Sequence, residues 1–482
     1  MIKTRFAPSP TGYIHIGNLR SAIFPYLIAR QKQGHFILRI EDTDQARFVD
    51  GATQLIMETL KWIGLDWDEG PDLGGPHAPY TQSQRKAVYE RYAKKLLASG
   101  RAYADPTTKA ELESFHQDAA QKKQAFLFRH YRPQVTPPWK PGLAIRFKAE
   151  PKAYQYHDEI FGDLKMGPET QDDFILIKSD GLPTYNFAHI VDDYDMGVTH
   201  VLRGQEYLPS MGNYLALYEA LEIPRPIFVH LPHILAPSGH KKLGKRDGAK
   251  SAVEYRDGGI LPEAMLNFLA CLGWNDGSQQ EIFTKAELIK KFDLHRIQRA
   301  GARFDENKLL WLNGQWLRRL FKEDAQSLFL RSANFWPSSA NSFDPSYRFQ
   351  VFSIIYDRLK TFADLGTMTD YFFREPNVNL TLITGNKMLK QLSSQDLSGL
   401  IRDSIAALAQ IDETNWQSAA INDVLNTLLA KSGQKPGVLF GLLRLAVSFA
   451  PFSPALPDTF AVLGKKRVLA RLQTCHDHLL EA

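Results

Sequence analysis

His15 stands in a turn, Gly12-Tyr13-Ile14-His15-Ile16-Gly17-Asn18, that joins a short alternating apolar segment to a helical pattern. Gly12 and Gly17 permit close backbone approach, and the start of the helix offers unpaired N–H groups and the positive end of its dipole, which suits a phosphate. His15 can donate to phosphoryl oxygens, and Asn18 can do so without titrating. An ordinary strand–helix turn with a surface histidine would read the same, so this turn alone decides nothing. Residues 242–246 put Lys242, Lys245 and Arg246 within five positions around Gly244. Such a loop can clamp a departing pyrophosphate and neutralise charge that grows in a transition state; a solvated basic loop is the plainer reading of the stretch by itself. Glu41-Asp42-Thr43-Asp44 adds an acidic cluster, which by itself reads equally as a polar strand end or a helix cap.

These groups acquire meaning from the elements that position them. Residues 2–6 alternate as a strand and break at Ala7-Pro8-Ser9-Pro10. A helix with Leu19, Ala22, Ile23, Tyr26 and Leu27 on one face follows and is expected to stop at Gly34, and residues 36–40 form a second strand. Later strands are expected at 200–202 and 227–231. The alternation predicts an α/β fold, a doubly wound parallel sheet. Residues 100–180, with Pro133, Pro137, Pro138 and Pro141, look like an α+β insertion that splits it. From Pro262, a residue suited to a first helical turn, helices dominate to the end of the sequence; 388–400 and 425–429 read as core-facing stripes. In open parallel sheets ligands bind beyond the carboxyl ends of the strands. The first strand delivers Arg5, Ala7 and Ser9 before the His15 turn; the second delivers Glu41, Asp42 and Asp44; a later one delivers Arg203 and Glu206; and the last leads to the lysine loop. Cations, an acidic cluster and a histidine around one helix start suit an anionic nucleotide and a second, zwitterionic substrate.

Composition narrows the class. At 482 residues the chain is too long for one ordinary domain, and about three are expected at roughly 150 residues each. With 44% hydrophobic and 23% charged residues, wholesale disorder is excluded. No apolar run reaches the roughly 18 residues of a membrane span, and the N-terminus lacks the apolar core of a signal peptide. Cys271 and Cys475 cannot build a disulfide framework or a four-thiolate metal site. A cytoplasmic, soluble, multidomain protein is expected. The net charge of +5 suits a polyanionic partner without requiring one.

Together the motifs resemble the class I aminoacyl-tRNA synthetases, and among them the bacterial-type glutamyl-tRNA synthetases. The run from Arg5 to Asn18 resembles the family's extended H-I-G-H region. Arg39-Ile40-Glu41-Asp42-Thr43-Asp44 with Arg47 is similar to the signature of the glutamate/glutamine branch. Pro183-Thr184-Tyr185-Asn186 leading to Val191-Asp192-Asp193, then Leu202-Arg203-Gly204-Gln205-Glu206, is similar to the rest of that site. Lys242-Leu243-Gly244-Lys245-Arg246 resembles the K-M-S-K-S loop. The likeness runs in order over nearly the whole chain.

The resemblance implies a Rossmann-like catalytic domain over 1–100 and 181–245 and an acceptor-end-binding insertion over 101–180. It further implies a stem-contact domain over 246–315 and an all-helical anticodon-binding domain over 316–482, divided near 380. It implies ATP-dependent attachment of L-glutamate to the 3′ end of tRNA(Glu) through a glutamyl-adenylate, with Mg²⁺ arriving with ATP, in a monomer. His15, Lys242 and Lys245 would stabilise charge on the phosphates. Arg5, Ala7, Ser9, Glu41, Tyr185 and Arg203 would bind glutamate; His15, Gly17, Asn18, Glu206 and Lys245 would bind ATP. Arg203 and Arg5 suit a side-chain carboxylate, Glu41 is a partner for an α-ammonium, and a second arginine favours glutamate over glutamine. Arg318, Arg319, Arg358, Lys360, Arg444 and Lys465 are candidate tRNA contacts in the helical half.

The sequence departs from the family in three places. Gly244 stands where a hydroxyl residue is usual, Asn18 replaces the second histidine, and the insertion lacks the zinc-binding cysteines of many relatives; His116 and His130 cannot close a tetrahedral site, so no zinc and no protein-bound metal is expected. Two other readings stay open: a ligase for another acceptor, such as a modified tRNA base, and a silent RNA-binding paralogue, which only Gly244 favours.

Overall fold

The protein, as a computed structural model, is described over residues 1–239, 241–244 and 250–481. It divides into two compact units, Met1–Arg256 with Pro262–Glu306, and Asp257–Leu261 with Asn307–Ala482.

Strand β1 (Lys3–Phe6) is buried along its whole length although it carries Lys3, Thr4 and Arg5. A central strand of a parallel sheet is covered on both faces, so its polar side chains must find partners inside. Lys3 Nζ lies 2.8 Å from Glu69, and Thr4 Oγ1 donates to the Pro25 carbonyl at 2.8 Å. Helix α1 (Ile16–Gln31) leads to β2 (His35–Leu38), which pairs in parallel with β1, Lys3 opposite His35 and Phe6 opposite Leu38. The helix stops three residues before Gly34, with Gln33 in the left-handed region (φ 50°). Gly34 is required for a different reason: a Cβ there would overlap the Ile2 carbonyl oxygen.

Helices α2 (Ala52–Trp62) and α3 (Lys86–Ala98) bring the chain to the insertion, which comprises β3 (Ala102–Asp105), α4 (Lys109–Gln121), β4 (Ala144–Phe147), β5 (Tyr154–Asp158), β6 (Gly162–Met166) and β7 (Ile175–Ile177). Helix α5 (Tyr185–Asp195), β8 (His200–Gly204), α6 (Met211–Leu221) and β9 (Ile227–Leu231) complete the sheet. β3, β4 and β7 form a separate antiparallel sheet. The β5–β6 hairpin does not stay with them. It alternates buried and exposed residues, and its buried face (Tyr154, Tyr156, Asp158) docks on β9, with Asp158 opposite Phe228 in parallel and the Tyr156 ring edge-on to Phe228 at 5.8 Å. On the other side β8 pairs in parallel with β9, and Thr199 N donates to Lys3 O at 2.9 Å to bring β1 alongside. The lateral order is β2-β1-β8-β9-β5-β6, parallel except at the edge strand β6. Residues contiguous with the insertion thus extend the central sheet.

After β9 come β10 (Ile234–Leu235), α7 (Ala252–Asp257), α8 (Pro262–Cys271), α9 (Lys285–Lys291) and β11 (Ala302–Arg303), the last paired in parallel with β10. The second unit is helical, and among its described residues there is no strand. It runs through α10 (Glu306–Arg331, broken at Asp324), α11 (Pro345–Ile355), α12 (Asp364–Met368), α13 (Thr381–Thr384), α14 (Ser394–Leu408), α15 (Ser418–Ser432), α16 (Pro436–Ser448), α17 (Leu456–Leu463) and α18 (Lys465–Glu481). Its core gathers Leu397, Ile401, Leu425, Leu442, Leu472 and Cys475. The stripe expected over 388–400 is only partly helical: a Ser393–Asp396 capping box starts α14 at Ser394, and Met388 is exposed. Of the basic side chains expected to meet tRNA, Lys465 donates to the Ala409 and Ile411 carbonyls and Arg319 pairs with Glu323 at 2.9 Å, so both already have intramolecular partners. No helix of the described residues is long and apolar enough to cross a membrane.

Candidate active site

β1, β2 and β8 deliver their next residues to one edge of the sheet, and a cavity of about 420 Å³ opens there. Arg5, Ala7 and Ser9 from β1, Glu41 after β2, Tyr185 at the start of α5, and Arg203 with Glu206 at the end of β8 all line it, joined by Asn18 from α1. A second, smaller cavity adjoins at the start of α1, lined by His15, Gly17, Asn18, Glu206 and Lys242 among others. Asn18, Ser21, Gly204 and Glu206 line both. The structure therefore collects every site residue expected from the sequence except Lys245, which lies outside the described residues.

The smaller cavity is framed by α1. His15 occupies the N-cap, and its Nδ1 accepts from Gly17 N at 3.1 Å. A Cβ on Gly17 would stand 3.3 Å from that ring nitrogen, so the glycine lets the imidazole lie over the first turn. Arg20, one turn on, is buried and donates to the carbonyls of Leu272 (3.2 Å) and Pro232; burial pushes its guanidinium down to about 10, against the pull of Glu206. Two backbone contacts hold the start of the lysine loop and the stretch after it. Leu243 N donates to Ile234 O at 2.8 Å within the loop, and Ala252 N donates to Ile14 O at 3.2 Å beyond it, next to His15. Lys242 Nζ lies 3.1 Å from Glu206 Oε1. The Glu206 carboxylate folds back over Gly204, where any Cβ would collide with it. Burial raises its proton affinity, but the bond to its own backbone N–H and Lys242 hold it below the ordinary value.

The larger cavity has a floor of buried charges. Arg5 Nε lies 3.1 Å from Asp193 Oδ1, and its Nη1 donates to Leu202 O at 2.9 Å. Arg39 is fully buried and bridges Asp193 (2.7 Å) and Glu41 (2.9 Å). Asp192 takes Arg85 Nε, Gln82 Nε2 and the Tyr89 hydroxyl, each at 2.8 Å. Desolvation penalises all these charges, and mutual pairing compensates. Burial opposes ionisation of Asp193, but Arg5 and Arg39 hold it well below the usual carboxylate range. Burial wins at Glu41, whose proton affinity rises although Arg39 and Arg5 oppose it.

Arg203 is held differently. Its Nε donates to His230 Nε2 and its Nη1 lies on His189 Nε2, both at 3.1 Å; its Nη2 donates to the Met211 sulfur at 2.9 Å. The Tyr207 and Tyr214 rings flank it, 5.1 and 4.7 Å from the guanidinium carbon. His230 Nδ1 is 2.7 Å from Asp158 Oδ2, and His189 Nδ1 is 2.7 Å from the Tyr185 carbonyl. Tyr185 stacks on His189 (4.7 Å between ring centres) and on Tyr207 (5.2 Å). Burial, then Glu41, raises its hydroxyl well above the ordinary value, so it is a neutral donor. Among the described residues no three His, Cys, Asp or Glu side chains gather into a metal site.

Sequence reasoning missed Arg20, His189, His230 and Asp158. His189 had a local signal, four residues after Tyr185 on one helix face. Arg20 breaks the apolar face of α1. Asp158 had none, because 72 residues separate it from His230.

Residues 1–311 match the family described as tRNA synthetases class I (E and Q), catalytic domain, and residues 320–475 match an anticodon binding domain. The chain is 38% identical over 479 residues to a glutamate–tRNA ligase of Dehalococcoides mccartyi, covering 98% of this chain and 96% of that one. It is 39% identical over 481 residues to the glutamate–tRNA ligase of a Clostridium botulinum strain, covering 98% of each. A crystal structure of a glutamate tRNA ligase from Elizabethkingia meningosepticum, in complex with its amino acid, superposes with a TM-score of 0.88 at 33% identity, covering 99% of both chains.

Proposed function

The chain belongs to the class I tRNA synthetases of the glutamate and glutamine branch, among the glutamate–tRNA ligases, and we propose that its two adjoining cavities divide the substrates between them. The reaction is attachment of glutamate to tRNA for protein synthesis, with ATP as co-substrate and an adenylate as intermediate.

In the larger cavity Arg203 takes the side-chain carboxylate of L-glutamate, with Arg5 and the neutral Tyr185 hydroxyl beside it and Glu41 on the α-ammonium. Ala7 and Ser9 line the backbone of the substrate. In the smaller cavity the first N–H groups of α1, with His15, Gly17 and Asn18, face the phosphates of ATP, which brings Mg²⁺ with it; Glu206 borders both substrates. The α-carboxylate attacks the α-phosphorus, the bond to the pyrophosphate oxygen breaks, and the charge that moves onto pyrophosphate is met by His15, Lys242 and Lys245. The terminal adenosine of tRNA(Glu) then attacks the acyl carbon through a hydroxyl, and AMP leaves. No side-chain nucleophile is needed, so positioning and electrostatics supply the rate. The insertion over 101–180 holds the acceptor end, 246–315 touches the stem, and the helices of 316–482 bind the anticodon, in a cytoplasmic monomer.

The observation that carries this reading is the shared wall: Asn18, Ser21, Gly204 and Glu206 border both cavities, so an α-carboxylate in one reaches a phosphate in the other. The test is glutamate-dependent ATP–pyrophosphate exchange, with and without unfractionated tRNA and with glutamine as control. Exchange that ignores glutamine supports the assignment; no exchange under any condition removes it.

A further inference from the structure

Three arginines line the larger cavity; Arg47 is exposed and pairs with Asp44, and the two buried ones, Arg5 and Arg203, differ in one respect. Arg5 is paired with a carboxylate, Asp193, at 3.1 Å. Arg203 makes no ion pair with any carboxylate among the described residues; its donors go to two imidazole nitrogens and a thioether, between two tyrosine rings. A buried guanidinium normally sits with a counter-ion, since an unpaired buried charge is costly. Here it is fixed by acceptors that carry no charge of their own.

The tautomers follow from the partners. Asp158 Oδ2 and the Tyr185 carbonyl are acceptors only, so each histidine places its proton on Nδ1 and leaves Nε2 as a lone-pair acceptor toward Arg203. Asp158 is itself locked, accepting from the backbone N–H groups of His230, Ile160 and Phe161. An imidazolium at either position would turn an acceptor into a second donor facing a cation. Burial, then the neighbouring Arg203, pushes His189 down to about 3, in agreement with that geometry.

We infer that His189 and His230 are specificity-determining positioning residues: as neutral acceptors they fix the Arg203 guanidinium without neutralising it, so that a substrate carboxylate, and not an amide, becomes its counter-ion. This rests on the reading of Arg203 as the glutamate side-chain ligand. A carboxylate in place of either histidine would orient the arginine equally well and would remove the reason to prefer an anionic substrate.

The experiment compares steady-state adenylation by full-length Arg203→Leu, His189→Leu, His189→Gln, His230→Leu and His189→Glu, with glutamate and glutamine as substrates. Arg203→Leu should raise the KM for glutamate; if it does not, the underlying site reading fails. Given that effect, the His→Leu variants should raise the glutamate KM about 10- to 100-fold with kcat and the KM for ATP within about threefold. His189→Gln, which restores an acceptor at the Nε2 position, should recover most of the loss. His189→Glu should narrow the ratio of glutamate to glutamine kcat/KM by about tenfold or more. An unchanged glutamate KM in both Leu variants, or an undiminished ratio in His189→Glu, overturns the inference while leaving Arg203 in place. Nitrogen-15 NMR of histidine-labelled wild-type protein near neutral pH is independent of how the variants fold. It should show both rings neutral with the proton on Nδ1; an imidazolium at either position is fatal to the idea.

Discussion

The Glu206 carboxylate rests where the side chain of residue 204 would begin, so the absence of a side chain at Gly204 is what allows Glu206 to reach Lys242. The backbone at Gly204 (φ −66°, ψ 150°) is ordinary for any residue, and the obstructing group is the far end of a flexible side chain. Gly204→Ala should therefore fold, with a stability change within about 1 kcal/mol, while displacing Glu206. The expected outcome is a several-fold rise in the KM for ATP with little change in the melting temperature. A large loss of stability with an unaltered KM would contradict it.

Lys242 is half-exposed and its pair with Glu206 is open to solvent, so the pair contributes at most about 1 kcal/mol to folding. Its weight should fall on the reaction. Lys242→Ala is expected to unfold at the wild-type urea concentration yet to slow pyrophosphate exchange by about an order of magnitude or more. Equilibrium unfolding and exchange assays on the same preparation decide this.

Asp193 is the opposite case, since Arg5 and Arg39 both lean on it inside the sheet edge. Asp193→Asn leaves two buried guanidinium groups short of a counter-ion, and a loss of about 3–5 kcal/mol is expected. Urea unfolding measures it, and a change below about 1 kcal/mol would mean that Glu41 and Asp192 suffice to balance the site.

Glu41 must be ionised to hold an ammonium group, and burial raises its proton affinity despite Arg39 and Arg5. Glutamate kcat/KM should therefore be full near neutral pH and begin to fall on acidification above the ordinary Glu value of about 4.3. Glu41→Gln should lower kcat/KM by about 10- to 100-fold near neutral pH and remove that acid limb. A pH profile of both proteins checks this, and an identical acid limb in the variant would assign it to another group.

The buried histidines link folding to pH with a definite sign. His189 stays neutral in the folded chain down to about 3, and burial lowers His230 in the same direction. The unfolded chain binds these protons near the ordinary value of about 6.5, so the stability they contribute is complete above that pH and is lost as pH falls below it. For His189 the slope is about 1.4 kcal/mol per pH unit, and His230 adds to it in the same direction. The raised carboxylates Glu41 and Asp192 act in the opposite sense, so the informative quantity is the difference between wild type and His189→Gln. Urea unfolding at pH 7 and pH 5 should show a smaller acid loss in the variant.

The parts of this site that could be read from sequence are those that lie at or just beyond a strand's carboxyl end. Arg5 and Arg203, in the last residues of β1 and β8, and Glu41, shortly after β2, were accessible because parallel strands bring their carboxyl ends to one edge, whichever strands turn out to be neighbours. Tyr185 came from motif resemblance. The parts that could not be read come from pairings between distant segments. Nothing near Asp158 says that its hairpin leaves the insertion and lies against β9, because the alternation of buried and exposed residues along β5 fits any half-buried strand. The stop of α1 was misplaced by three residues for a related reason: Gly34 is dictated by the crossing of residue 2, a tertiary contact, and not by the helix end. The stretch before α14 looked helical from its leucines, but the Ser393 cap starts the helix later.

The route of the β5–β6 hairpin bears on how such proteins can be recombined. Cutting at 101 and 180 looks like a clean way to exchange one insertion for another. It would also remove Asp158, the group that fixes the ring orientation behind Arg203, together with two strands of the central sheet. A workable chimera has to keep residues 154–166 with the host, so that the exchangeable part is β3, α4, β4 and β7. Transplanting the whole block would carry one partner of the Arg203 cluster into a protein built around another.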